Sequence, residues 1–155
     1  MFLPACSPSS RLRLCSTRSV LSWLQSQRQF TPSAVRSMAR TPVEAAEVQL
    51  KWYNERNVDE FLTVFSDDCV LQDLRTGEIL ATGKAEIRPR YEKRFSTPVH
   101  AKLVGRLNVG NVVTDQEHIT GLPDGAEATV LAVYHVTPDG LINRVQFVWE
   151  NVTKA

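Results

Sequence analysis

Apolar and polar residues alternate with a helical period over the first stretch of ordinary globular sequence. Val43, Ala46, Leu50 and Tyr53 fall on one stripe and Pro42 suits a first turn, so a helix is expected over 43–54. A second helix is expected at once. Asn57 is placed as its N-cap, Glu60 follows three residues later as in a capping box, and Val58, Phe61, Leu62 and Phe65 share a face. The period then shortens. Residues 70–74 form a brief apolar run, Thr76-Gly77 supplies a turn, and 78–81 can return as a hairpin. A third helix is expected over 84–95, with Ile87, Tyr91 and Phe95 as its buried stripe and Arg88, Arg90, Lys93 and Arg94 as a basic outer face. Pro89 should kink that helix or shorten its first turn, and the charge run reads as a solvated face. Four strands follow, over 101–108, 111–120, 127–136 and 141–150, separated by Gly110, Leu122-Pro123-Asp124-Gly125 and Thr137-Pro138-Asp139-Gly140.

Three helices followed by an antiparallel meander make an α+β plan, in which a strongly curved antiparallel sheet wraps the helices as a cone. The chain has 155 residues, of which about 115 belong to this pattern, the size of one domain. We read 1–40 as a targeting leader and 41–155 as the domain. No stretch approaches the roughly 18 unbroken apolar residues of a membrane span, so no membrane partner is expected.

Charge is distributed unevenly along the chain. The formal net charge is +1, yet six of the eighteen basic residues precede Thr41 and all seventeen acids lie at or after Glu44, which leaves 12 − 17 = −5 for the domain. An acidic domain lacks the basic stripe that nucleic-acid binding requires, and acidic substrates are disfavoured on the same ground. The leader carries Arg11, Arg13, Arg18, Arg28, Arg36 and Arg40, many serines and no acid, the composition of a mitochondrial targeting peptide. Chloroplast import shares that composition, and a cytoplasmic form would result if translation began at Met38. Arg28, Phe30 and Ser33 resemble the two-step mitochondrial processing signal, which places the mature terminus near Met38. The domain would keep one cysteine, Cys69, in an apolar run where it reads as a small buried hydrophobe.

Several short motifs occur in a telling order: Trp52-Tyr53-Asn54 leading into Asn57-Val58-Asp59-Glu60-Phe61, Phe65-Ser66-Asp67-Asp68 before the first strand, Gly83-Lys84-Ala85-Glu86-Ile87 opening the third helix, and Gly140-Leu141-Ile142 before the last strand. Together they resemble the SnoaL-like branch of the nuclear transport factor 2-like superfamily, over residues 42–149. The resemblance implies a cone-shaped sheet closed by helices, and a fold that often dimerises through its exposed sheet. The family's ketosteroid isomerases imply a general-base aspartate at Asp73, while their oxyanion-binding tyrosine falls on Gln49 and their protonated aspartate near Ala132, so neither of those donors is carried over.

A carboxylate at Asp73, ending an apolar strand, could face the mouth of the cone, where partial desolvation would raise its pKa. His100, His118 and His135 lie on three different strands. His118, if it faced inward beside Asp73, would supply the acid partner near neutral pH; alternation alone leaves both faces of each strand open. No two histidines have the close spacing of a metal pair, and no metal or cofactor is expected. Trp52, Tyr53, Tyr91, Tyr134 and Phe147 would line a pocket for a hydrophobic, ring-bearing small molecule.

Two functions follow. One is a cofactor-independent isomerase, cyclase or dehydratase acting on an apolar carbonyl compound, with Asp73 as base and His118 as acid. The other is a non-catalytic ligand-binding or homodimerisation module. An open, polar-tipped cavity would favour the first, and an interior filled by aromatic side chains the second.

Overall fold

The computed structural model describes residues 39–152, which lie within the compact unit Met38–Ala155. The leader expected over 1–40 falls, apart from Ala39 and Arg40, outside the described residues.

Helix α1, Pro42–Glu55, opens with a reciprocal cap: Glu44 N donates to Thr41 Oγ1 (3.3 Å), while Thr41 N donates to Glu44 Oε2 (2.7 Å). It ends at Arg56, whose left-handed backbone (φ 52°) turns the chain directly into helix α2, Val58–Leu62. Asn57 caps α2, its Oδ1 accepting from Glu60 N (3.1 Å). This second helix is one short turn-and-a-half, because Phe65, which continues its apolar stripe in sequence, already begins strand β1, Phe65–Asp73. Strand β2, Ile79–Thr82, returns antiparallel to β1. Gly83 (φ 74°) then starts helix α3, Gly83–Phe95, and a Cβ at this position would stand 3.0 Å from the Asp67 carbonyl oxygen. The helix continues through Pro89, which lies on its exposed side.

Strands β3 (His100–Val109), β4 (Val112–Thr120), β5 (Glu127–Val136) and β6 (Ile142–Val152) follow as a meander. The complete sheet has the order β2-β1-β6-β5-β4-β3. It is mixed: β1 and β6 pair in parallel, with Asp73 opposite Phe147. The expected antiparallel sheet is corrected at this one pairing, since the last strand lies between β5, its antiparallel hairpin partner, and β1, along which it runs parallel. Register breaks interrupt four of the five pairings, at Leu71/Gln72, Phe65/Val70, Leu103/Gly105 and His135/Val136; such bulges add bend and twist, so the sheet curves.

Alternation sorts the strands into two faces. Val113, Asp115, Glu117 and Ile119 of β4 are buried, as are Ala128, Val130, Ala132, Tyr134 and Val136 of β5. The helices cover this face, α1 against β3 to β5 and α3 against β1 and β2. At the centre Phe61 packs against Phe65, Tyr91 and Phe95 with ring centroids 4.3–5.5 Å apart, contacts that add to the burial of their apolar area. Helix α1 is tied to the edge strand by Asn54, which donates to Ala101 O (2.9 Å) and accepts from Ala101 N (2.7 Å). That two-point attachment fixes where the next inward residues of α1, Gln49 and Tyr53, stand over the sheet.

Candidate functional site

Three buried polar groups meet on the concave face. Tyr134 Oη donates toward Gln49 Oε1 (3.1 Å) and Glu117 Oε1 (3.4 Å), and all three residues are at most 5% exposed. A hydroxyl has one proton, so its two acceptors share it. When Glu117 is protonated it can donate to the Tyr134 oxygen, leaving the tyrosine proton to Gln49. The network therefore has a satisfied arrangement with the acid neutral, which an ionised Glu117 partly gives up.

Electrostatics favour the neutral form. Burial pushes the Glu117 carboxyl up, the Asp115 charge two residues away on the same face pushes it further, and the Tyr134 hydrogen bond and Arg106 only partly oppose this, leaving it at about 7. Asp115 itself is fully buried and held by a bidentate pair, Arg106 Nε to Oδ1 and Nη2 to Oδ2, both 2.7 Å. Arg106 also reaches Glu47 at 3.4 Å.

Glu117, Gln49 and Tyr134 open onto a cavity of about 30 Å³ whose walls include Tyr53, Tyr91, Phe147 and Trp149. That volume holds two or three waters, each needing roughly 10–15 Å³. The interior is thus neither filled nor large enough for a ring. Tyr53 Oη, buried in this wall, is the one buried side-chain polar atom among the described residues without a hydrogen-bond partner. An unpaired buried hydroxyl costs free energy in the empty site and is available to an incoming acceptor. Arg90 and Arg94 line the same cavity on its outer side.

Of the residues expected to bind substrate, Tyr53, Tyr91, Tyr134 and Phe147 line the cavity. Trp52 does not: it packs partly buried against the core, with Lys51 Nζ 4.2 Å from its ring centroid. Asp73 and His118 are not brought together. Asp73 shares the face of Cys69 and Leu71, but lies at the strand end beyond the cavity lining. One of its oxygens accepts from Arg75 N (2.9 Å), Thr76 N (2.8 Å) and Thr76 Oγ1 (3.0 Å), closing the β1–β2 turn. Those bonds, the Thr76 backbone foremost, hold its pKa below the ordinary carboxylate value, the opposite of what a base requires. His118 faces the convex side of β4, where Nε2 lies 3.2 Å from Glu127 Oε2. His135 shares that side and contacts Gln146 at 3.2 Å. Cys69 is buried, and burial pushes its thiol up to about 12, so it is inert.

Glu117, Gln49 and the two arginines were not among the expected site residues. A signal for Glu117 existed: on one face of β4, Asp115 and Glu117 stand between Val113 and Ile119, an apolar-bracketed pair of acids. Ala132, where the isomerase family's protonated aspartate would fall, lies directly opposite Asp115 in the β4–β5 register.

Comparison with known proteins agrees with this architecture. A protein of cystatin fold from Novosphingobium aromaticivorans is 27% identical, covering 70% of this chain and 98% of its own with a TM-score of 0.64. A nuclear transport factor 2-like protein of unknown function from Cytophaga hutchinsonii is 14% identical over 71% of this chain and 90% of its own, TM-score 0.60. A Catenulispora acidiphila protein with a ketosteroid isomerase-like fold, solved in complex with trimethylamine, is 19% identical over 70% of this chain and 86% of its own, TM-score 0.59. Among curated proteins none matches the sequence. The SnoaL-like domain family matches residues 48–145, more than half of the chain, and the chain belongs to that family.

Proposed function

We propose that the chain is a cofactor-independent enzyme that moves a proton on a small carbonyl compound, with Glu117 as the general base and Tyr53 as the donor to the carbonyl oxygen. The observation that carries this reading is the cavity itself, a buried carboxyl and an unpaired buried hydroxyl on its walls. A carboxyl at about 7 is divided between base and acid at neutral pH, the condition under which proton transfer in both directions is efficient. The carboxylate takes a proton from the carbon beside the carbonyl, the bonding electrons move onto the carbonyl oxygen, and Tyr53 stabilises the enolate by donating to it. Return of the proton to the same or a different carbon completes exchange or isomerisation. In the family's terms, base and donor stand at positions other than Asp73 and Gln49.

The cavity admits a group the size of a methyl ketone, so 6-oxoheptanoate and its methyl ester are suitable probes. The wild-type chain should accelerate exchange of the hydrogens beside the ketone for deuterium, followed by proton NMR, with a rate that rises with pH around a midpoint near 7. Glu117→Gln should lower the rate by about 10²–10⁴-fold. Exchange on both probes at wild-type rate in that variant would end the reading.

The second reading, a binding or dimerisation module, is favoured by the convex face of the sheet, where Leu107 (73%), Val109 (80%) and Leu131 (37%) are exposed. It is compatible with catalysis on the concave face. The solution mass of the 38–155 fragment tests whether two copies associate.

A further inference from the structure

Helix α3 carries five cations, and they fall into two sets, the first holding Arg88 and Lys84, the latter 2.9 Å from Asp67. Arg88 is neutralised, with Nη1 2.8 Å from Asp59 and 3.6 Å from Glu92. Arg90, Lys93 and Arg94 have no carboxylate within 4.0 Å among the described residues. With Thr97 and Pro123 these three line a hollow of about 450 Å³, within the range of small-molecule sites. Arg90 and Arg94 border both this hollow and the inner cavity that contains Glu117. The Arg94 guanidinium carbon also lies 5.0 Å from the Trp149 ring centroid, over the indole, so this half-buried cation is held in place without being neutralised.

We propose that the hollow seats the carboxylate of an amphipathic organic acid, paired with Arg90 and Arg94, whose carbonyl end enters the inner cavity. The orientation rests on the acid/base reading above. Polarity along the path supports it: fixed cations at the mouth, aromatic and aliphatic walls formed by Ile119, Val130, Phe147 and Trp149, then hydroxyl, amide and carboxyl groups at the closed end. The domain's net charge of −5 does not oppose this, because charges beyond a Debye length of about 8 Å are screened at physiological salt, whereas unpaired cations in a concave mouth act locally. Guanidinium groups also match a carboxylate's two oxygens. The expectation that acidic substrates are disfavoured, drawn from net charge, is replaced by this local one.

The test is ligand-detected NMR titration of the full-length chain with 6-oxoheptanoate and with its methyl ester, at pH 7 and low and high salt. The acid should bind at least about tenfold more tightly than the ester at 25–50 mM salt, and the advantage should shrink as salt rises. Arg90→Gln and Arg94→Gln should each weaken the acid several-fold and leave the ester unchanged, whereas Lys102→Gln, on the exposed edge strand, should change neither. Equal affinities for acid and ester, equal weakening of both in the arginine variants, or no binding of the acid up to 10 mM would each overturn the proposal. Glu117→Gln separates it from the catalytic reading. That variant should keep the preference for the acid while losing exchange; a kept preference with undiminished exchange sinks the Glu117 role alone, and lost exchange without any preference sinks the anion site alone.

Discussion

Replacing Glu117 by Gln should make the fold more stable at alkaline pH and change little at acid pH. The carboxyl sits at about 7 in the folded chain against an ordinary value of 4.5. Between those two values the folded chain retains a proton that the unfolded chain has released, so stability falls as pH rises through the interval. The difference, 7 − 4.5, corresponds to about 3 kcal/mol once Glu117 is fully ionised, at 1.36 kcal/mol per unit. Glutamine fills the same volume and cannot ionise; it can still bond to Tyr134. Urea unfolding measured at several pH values gives the comparison directly, with the difference between variant and wild type cancelling the titrations of other groups. With a slope of roughly 1–3 kcal/mol per molar urea, the variant's midpoint should exceed that of wild type by about 1–3 M at pH 8.5 and nearly coincide with it at pH 4.5. A stability difference that is constant across this range would refute the account of Glu117 as a desolvated acid. It would also remove the physical basis for its role as a base.

Asp115→Asn should destabilise the domain by about 3 kcal/mol or more, since Arg106 loses the charge that pairs with it inside the fold, and the exchange midpoint should fall because the neighbouring charge that raises Glu117 is gone; an unmoved midpoint would deny the coupling. Tyr53→Phe should slow exchange by at least tenfold while leaving urea stability equal or higher, because the deleted hydroxyl has no partner in the folded chain; a loss of stability without a change in rate would make Tyr53 a packing residue only. Asp73→Asn should weaken the β1–β2 turn yet leave the exchange rate and its pH profile intact. Loss of exchange there would restore the aspartate to the mechanism.

The helices and the meander were legible because their signals are local. Pro42, Asn57 and Gly83 mark starts, and Ile87, Tyr91 and Phe95 mark a face, within a few residues of where each element forms. The boundary between α2 and β1 was not, because Phe65 satisfies the helical spacing from Phe61 and equally the two-residue spacing of a strand, and only the pairing with β6 decides between them. That pairing joins residues about 75 positions apart and leaves no local trace. Within the site, Tyr53, Tyr91, Tyr134 and Phe147 were readable as inward aromatics. The facing of His118 was left open because a strand has two faces and its own residues do not say which one is covered; the helix α1 resting on β4 settles the matter from a distance. Asp73 was readable as a strand-end carboxylate, but its chemistry is set by Arg75 and Thr76, which donate to one of its oxygens.

The attachment of Asn54 to Ala101 has a consequence for how copies of the domain can meet. Strand β3 ends the sheet, and a terminal strand offers unclaimed main-chain groups to any extended peptide that comes alongside. At Ala101 a side-chain amide stands in for the missing neighbour, giving the peptide unit one donor and one acceptor as a further strand would. Sheet extension is blocked there, next to the bulge at Leu103/Gly105 that already spoils the register. A strand arriving at this edge would have to displace Asn54 from Ala101 before it could pair there, so sheet growth, the route toward fibres, is opposed at the start of β3.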